Sequence, residues 1–206
     1  MPTEPGRDRD VFREAMATFP SGATIVTTSD AAGQWWGFTA SSFCSVSLEP
    51  PLVLTCLANG AQCFPAFAAA DRWNIHVLAH RHADLAVRFA TRGLDKFDGA
   101  GFLPDASGLP ILAGVSVALR CAAHAKVEGG DHLVLIGRVE EAAVGSETPF
   151  VYFRRRFHAL ALNSDEALDA GGRALVPAGH TAAGHVAAGS AAALGSVVVE
   201  LDLGWM

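Results

Sequence analysis

Residues 37–58 read GFTASSFCSVSLEPPLVLTCLA. Thr39, Ser41, Ser42 and Ser45 crowd hydroxyls into a short stretch flanked by Phe38 and Phe43. Pro50 and Pro51 close that stretch, and PLVLTCLA follows as a continuous apolar run of strand length. A buried strand rarely carries so many hydroxyls, and a surface loop rarely leads so directly into the core. The stretch reads as a strand ending in small residues, where backbone and hydroxyls are bared beside a core strand whose two faces are both expected to be covered.

The neighbouring segments extend the pattern. DRDVFREAMATF places Val11, Phe12, Ala15, Met16 and Phe19 at helical spacing, and Pro20-Ser21-Gly22 ends that helix. ATIVTTS (23–29) is β-branched, DAAG is a turn, and WWGFTASSF returns as the partner strand. A short helix is expected near 63–70, a strand at 73–79 and a helix across 81–91. Two longer strands, 114–128 and 132–143, flank EGGD, a tight hairpin turn with glycine where positive φ is needed. PFVYFRRRFHAL closes the body as one last strand. Strands dominate and short turns join them, so the expected fold is mainly β, an antiparallel barrel with a few helices. A glycine fingerprint of the GxGxxG type is absent after the first strand, which argues against a Rossmann dinucleotide site.

Composition bounds the function. Half of the 206 residues are hydrophobic, 17% are charged, and the formal charge of −6 argues against a general nucleic-acid or membrane-surface binder. No apolar run reaches the length of a bilayer span. The polar start MPTEPGRDRD has no signal-peptide core, so a cytoplasmic location is expected. Cys44, Cys56, Cys63 and Cys121 form no CxxC pair and the histidines form no HExxH, so reduced thiols and no metal site are expected. From residue 163 the composition turns to Ala, Gly and Ser, which divides the chain into a body, 1–162, and a C-terminal extension, 163–206, whose SVVVELDL could form one strand.

Six segments in order carry a resemblance: FREAMATFPSGATIVTT, GFTASSFCSVSLEPPLVLTCLA, WNIHVLA, DLAVRFATRGLDKF, GGDHLVLIGRV and VYFRRRFHAL. Together they resemble the flavin reductase family, the reductase components of two-component flavin-dependent monooxygenases, over residues 11–160. FPAF after residue 63 and the late RRF lean toward the NADH:FMN reductases of aromatic polyketide pathways, the actinorhodin type. The resemblance implies an FMN-binding split barrel of antiparallel Greek-key type. It implies a homodimer that reduces free flavin, FMN before FAD, with NADH or NADPH, and passes reduced flavin to a separate monooxygenase. Two other activities on the same fold stay open. One is a non-catalytic flavin-binding or electron-transfer protein; the other is a reductase acting on ferric iron or a corrinoid.

The resemblance also assigns residues. An isoalloxazine ring needs an apolar slot and donors along one edge. Phe38, Thr39, Ala40, Ser41 and Ser42 are expected there, with Ser42 the leading donor, beside Cys56, Leu57 and Ala58 of the following strand. The competing reading is a hydroxyl-rich edge strand bonded to its own backbone. The flavin phosphate is expected after that strand, at Asn59, Gln62 and Cys63, where Ala61 and Cys63 stand in place of the Ser or Thr that relatives often carry. Lys96 and Phe97 are expected at the phosphate or ribityl chain, Lys96 as a point charge; a solvated surface lysine is the alternative. His132 is expected to orient and polarise the nicotinamide. Arg154 and Arg155 are weighed as cofactor contacts against surface ion pairs on an alternating strand. Trp35 and Trp36 are weighed between stacking on an adenine and packing at a dimer interface.

Overall fold

The computed structural model describes residues 5–160. The expected terminal strand SVVVELDL lies outside them. The chain runs α1 (Pro5–Ala17), β1 (Ser21–Gly22), β2 (Thr24–Ser29), β3 (Trp35–Ala40), β4 (Cys44–Ser47), β5 (Leu52–Ala58) and α2 (Phe64–Ala69). It continues with β6 (Arg72–Val77), a 3-10 turn at His80–His82, α3 (Ala83–Ala90), β7 (Phe102–Pro104), β8 (Pro110–Leu112), β9 (Val117–Gly129), β10 (His132–Val144), β11 (Phe150–Phe153) and β12 (Arg156–Ala159).

Seven strands form one antiparallel sheet in the order β3-β2-β6-β9-β10-β5-β4. Its two edges, β3 and β4, do not pair with each other, so the curled sheet is split rather than closed. The β2–β3 hairpin is set by Asp30, whose Oδ1 accepts the amides of Ala32 and Gln34 while Gly33 takes a positive φ of 78°. The Asp30 carboxyl is held below its usual range by the Trp36 indole and then the Gln34 amide. The expected EGGD hairpin joins β9 to β10, and Gly130 supplies the left-handed φ of 67°.

Two core clusters fill the sheet's concave side and its helical cover. Val26, Leu57, Phe67, Trp73, Ile75 and Leu135 are fully buried in one; Ile25, Leu78, Ala86, Phe89 and Phe150 are fully buried in the other, beneath α3. Three buried threonine hydroxyls of β2 are bonded: Thr24 donates to Ala40 O at 3.0 Å, Thr27 to Pro110 O at 2.6 Å and Thr28 to Arg72 O at 2.8 Å.

Two expectations need correction. The run at 150–159 is a hairpin, not one strand. Arg154 and Arg155 take φ of 48° and 62°, the two left-handed residues of a primed two-residue turn, with β11 pairing β12 around them. The Arg154 amide donates to Ala17 O at 2.8 Å and its guanidinium lies 5.4 Å from the Phe153 ring centre, contacts that offset the backbone cost. Strand β5 is not covered on both faces: Val53, Thr55 and Leu57 are buried, while Leu52, Leu54, Cys56 and Ala58 on the other face are partly open. The segment 102–112, not assigned from the sequence, forms the small β7–β8 pair.

Candidate active site

The half-open face of β5 is one wall of a cavity of about 620 Å³. The opposite wall comes from the end of β3 and the residues after it. The sequence-expected residues Phe38, Thr39, Ala40, Ser41 and Ser42 line it, as do Cys56, Leu57 and Ala58. Gln62, Cys63, Lys96 and His132 complete the set brought together. Asn59 does not line the cavity: its side chain donates to Gly130 O at 3.3 Å and its amide to Asp131 O at 2.9 Å, tying the loop to the β9–β10 turn. Phe97 sits in the aromatic cluster with Trp35, Phe89 and Phe102. Arg154 and Arg155 lie against α1, where Arg155 approaches Glu14 at 3.9 Å, and neither lines the cavity.

The hydroxyls of the opening stretch divide by partner. Thr39 is buried and gives its hydrogen to Ala86 O at 2.6 Å, so it locks β3 to α3 and has no hydrogen left for a ligand. Ser42 Oγ accepts the Cys56 amide at 2.9 Å, with Thr55 Oγ1 at 3.5 Å. A hydroxyl that accepts one bond can still donate another, so Ser42 remains the donor suited to a ligand edge.

Lys96 lines the cavity and is not the solvated surface lysine of the alternative reading. Its ammonium donates to Phe89 O at 2.6 Å and Gly37 O at 3.4 Å. Burial lowers its pKa from the ordinary lysine value, the nearby Cys63 works the other way, and Arg92 lowers it further. Burial pushes the Cys63 thiol up to about 11, so it stays protonated at neutral pH. Cys63 precedes α2 without a side-chain cap bond. Two further bonds clamp the loops: Arg92 to Gly60 O at 3.1 Å and the Gly93 amide to Gln62 Oε1 at 3.1 Å.

Arg92 was not anticipated, although it lies within DLAVRFATRGLDKF; a cation four residues before Lys96 and just beyond a helix end was the available signal. Phe12 and Met16 of α1 also line the cavity, together with Gly129 and Val134 of the β9–β10 hairpin. The His132 ring is mostly covered, with 16% of its side chain exposed, and its Nδ1 lies 2.8 Å from Asp131 Oδ1. That carboxylate places the proton of the neutral ring on Nδ1 and orients it. A concave, mostly apolar space with the serine hydroxyls of Ser41 and Ser42, two cations and an oriented imidazole suits a flat heteroaromatic ligand bearing an anionic tail.

No group of residues arranged to hold a metal ion occurs among the described residues, and no helix there is long and apolar enough to cross a membrane. The chain is 43% identical over 172 residues to an actinorhodin polyketide dimerase of Streptomyces coelicolor, covering 83% of this chain and 97% of the relative. It is 40% identical over 160 residues to an NADH:riboflavin 5'-phosphate oxidoreductase of Streptomyces pristinaespiralis, covering 76% of this chain and 91% of that one. Further relatives are reductase subunits of flavin-dependent monooxygenases. Among solved structures, the NADH:FAD oxidoreductase SgcE6 of Streptomyces globisporus, in complex with NAD and FAD fragments, superposes with a TM-score of 0.73 at 32% identity, covering 80% of this chain and all of that one. Residues 16–161 match the flavin reductase like domain, and the chain belongs to that family.

Proposed function

We propose that the protein is an NADH-dependent flavin reductase that takes free flavin as a substrate and supplies it, reduced, to a separate monooxygenase. The observation that carries this reading is the cavity between β3 and β5, where Ser42, His132, Lys96 and Arg92 converge on a mostly apolar space. Its size of about 620 Å³ falls in the range of small-molecule sites. The donor set fits a flavin: apolar walls for the ring faces, Ser42 for the heteroatom edge, Arg92 and Lys96 for the phosphate.

The bound flavin and the nicotinamide supply the hydride chemistry. The chain's own residues position and shield. Ser42 donates to the ring edge, held in place by the Cys56 amide. His132, fixed by Asp131, orients the nicotinamide. Phe12 and Met16 of α1 exclude water from one side. Lys96 is shared with two backbone carbonyls, and Cys63 stands where a hydroxyl would strengthen phosphate binding. This restrained phosphate grip suits a flavin that must leave, so affinity for oxidised flavin is modest and the purified protein is nearly colourless.

The working form in this reading is a cytoplasmic homodimer. Val11, Phe12 and Met16 on the apolar face of α1, and Phe19 just beyond its end, are 63%, 47%, 38% and 74% exposed in the single chain. Covering them with a second copy removes an apolar surface that water would otherwise meet and closes the mouth of the cavity beside Phe12 and Met16.

Steady-state NADH oxidation tests the reading. The rate saturates with added FMN or FAD and is negligible with no flavin added. A rate that needs no added flavin and saturates instead with a ferric complex or a corrinoid overturns it.

A further inference from the structure

A small cavity of about 150 Å³ lies where β6, β9 and β10 meet the loop joining β7 to β8. None of the residues lining it lines the cavity between β3 and β5. Asn74 is buried in its wall. The Asn74 Nδ2 donates to Asp105 Oδ2 at 2.9 Å and to Pro110 O at 3.2 Å. A carboxylate and a carbonyl only accept, so the amide cannot be turned the other way. Its Oδ1 is left buried, with no hydrogen-bond partner among the described residues. A buried carbonyl oxygen in that state costs free energy until a donor reaches it.

Arg120 stands directly opposite Asn74 across the β6–β9 pairing, so the two side chains share one face of the sheet. Its Nε is the complement of the Asn74 oxygen. It is buried, 3.5 Å from Asp105 Oδ2 as an ion pair, and makes no hydrogen bond among the described residues. The pair therefore calls for a ligand carrying one donor and one acceptor side by side.

Charge at the site is already matched. Glu140 lies 3.3 Å from Arg72 and 3.1 Å from Arg138, and Glu141 pairs with Arg120. The Asp105 side chain is 2% exposed. Burial acts to raise its pKa, but the Asn74, Ser107 and Leu109 hydrogen bonds and Arg120 hold it below the usual carboxylate range. Burial, helped by Glu140, pushes the Cys121 thiol up to about 12, so it adds no charge. Three carboxylates thus face three guanidiniums, and a charged ligand would meet as much repulsion as attraction. Leu109 and Cys121 add apolar surface where waters would lack the two to four polar partners they need.

We infer that this cavity binds a small neutral amide, of the primary carboxamide or urea type. Its N–H donates to Asn74 Oδ1 and its carbonyl accepts from Arg120 Nε. An amide holds donor and acceptor on neighbouring atoms of one plane, which matches two groups on directly opposed strand residues.

The test is NMR titration of the full chain with acetamide, acetate and methylammonium, probes of similar size and different charge. The backbone amides of Asn74, Ser107 and Arg120 are followed. Acetamide shifts them and saturates in roughly the millimolar range expected for four non-hydrogen atoms; acetate and methylammonium do not. Arg120→Met weakens acetamide binding about tenfold, the loss of one good hydrogen bond, and Glu141→Gln leaves it unchanged. FMN titration, unaltered in both variants, shows that the fold is kept. Where Arg120→Met does not fold, Arg120→Lys, which keeps the charge and lacks Nε, is read in the same way. Saturation by methylammonium or acetate in place of acetamide overturns the proposal in favour of a charged ligand. Shifts that never saturate with any probe overturn it in favour of ordered water only. Full-strength acetamide binding without the Arg120 guanidinium overturns the assigned contact.

Discussion

Ser42 Oγ accepts the Cys56 amide hydrogen at 2.9 Å, and that bond ties the segment leaving β3 to the middle of β5. It joins the two walls of the cavity and orients a hydroxyl suited to a ligand. Ser42→Ala removes a ligand donor and leaves the Cys56 amide without this partner. Flavin affinity then falls about tenfold, and stability by about 1 kcal/mol, the usual size of a net hydrogen bond. Flavin titration and thermal melting read the two effects separately. Unchanged affinity in a destabilised variant would make Ser42 a brace and nothing more.

His132 lies at the start of β10, and Asp131 fixes its ring. His132→Ala raises the KM for NADH while FMN affinity changes little. Stopped-flow reduction of prebound flavin separates positioning from chemistry. An equal loss of affinity for both partners would show a collapsed site.

His76 gives the fold a pH dependence independent of the site. It is fully buried, and burial lowers its pKa from 6.5 to about 4. Ile25 O, 3.0 Å from Nδ1, can only accept, so the neutral ring carries its proton there, and Nε2 has no partner. With a depressed folded pKa, the unfolded chain takes up a proton first as pH falls below 6.5. Stability is full above that value and declines toward pH 4, by on the order of 3 kcal/mol in all. Urea titrations between pH 7 and pH 4.5 measure the decline. His76→Gln flattens this limb; an unchanged limb would place the acid sensitivity elsewhere.

The exposed apolar face of α1, continued by Phe19 just beyond it, makes assembly testable. Phe19→Glu puts a charge on a residue that is 74% exposed, a change a lone chain tolerates readily. In a dimer that buries this face, the variant dissociates on light scattering and binds flavin more weakly, because the α1 cover over the cavity loosens. A parent protein that is monomeric and fully active at micromolar concentration would contradict this.

The sequence was most legible where pattern and partner coincide. Alternation and β-branching located β2, β3, β5 and β6, and the EGGD turn located the β9–β10 hairpin, because each is a local signal. The cavity residues between Phe38 and Cys63 were legible for a different reason: the family resemblance assigned them, and of that set Asn59 alone turns away to the β9–β10 turn. What escaped was decided by contacts distant in sequence. Nothing local to Thr39 shows that Ala86 O takes its hydroxyl, and nothing local to Lys96 shows two carbonyls 7 and 59 residues away. Arg154 and Arg155 looked like strand residues because non-glycine residues rarely take positive φ; here the Ala17 and Phe153 contacts hold the turn.

The central claim is that flavin turns over as a substrate. The most direct measurement is anaerobic mixing of the protein with excess NADH and FMN in large molar excess over protein, followed by loss of flavin's visible absorbance. The account predicts that essentially all the flavin bleaches, each chain reducing many equivalents. Bleaching that stops at one flavin per chain would contradict it and make the protein a flavin carrier.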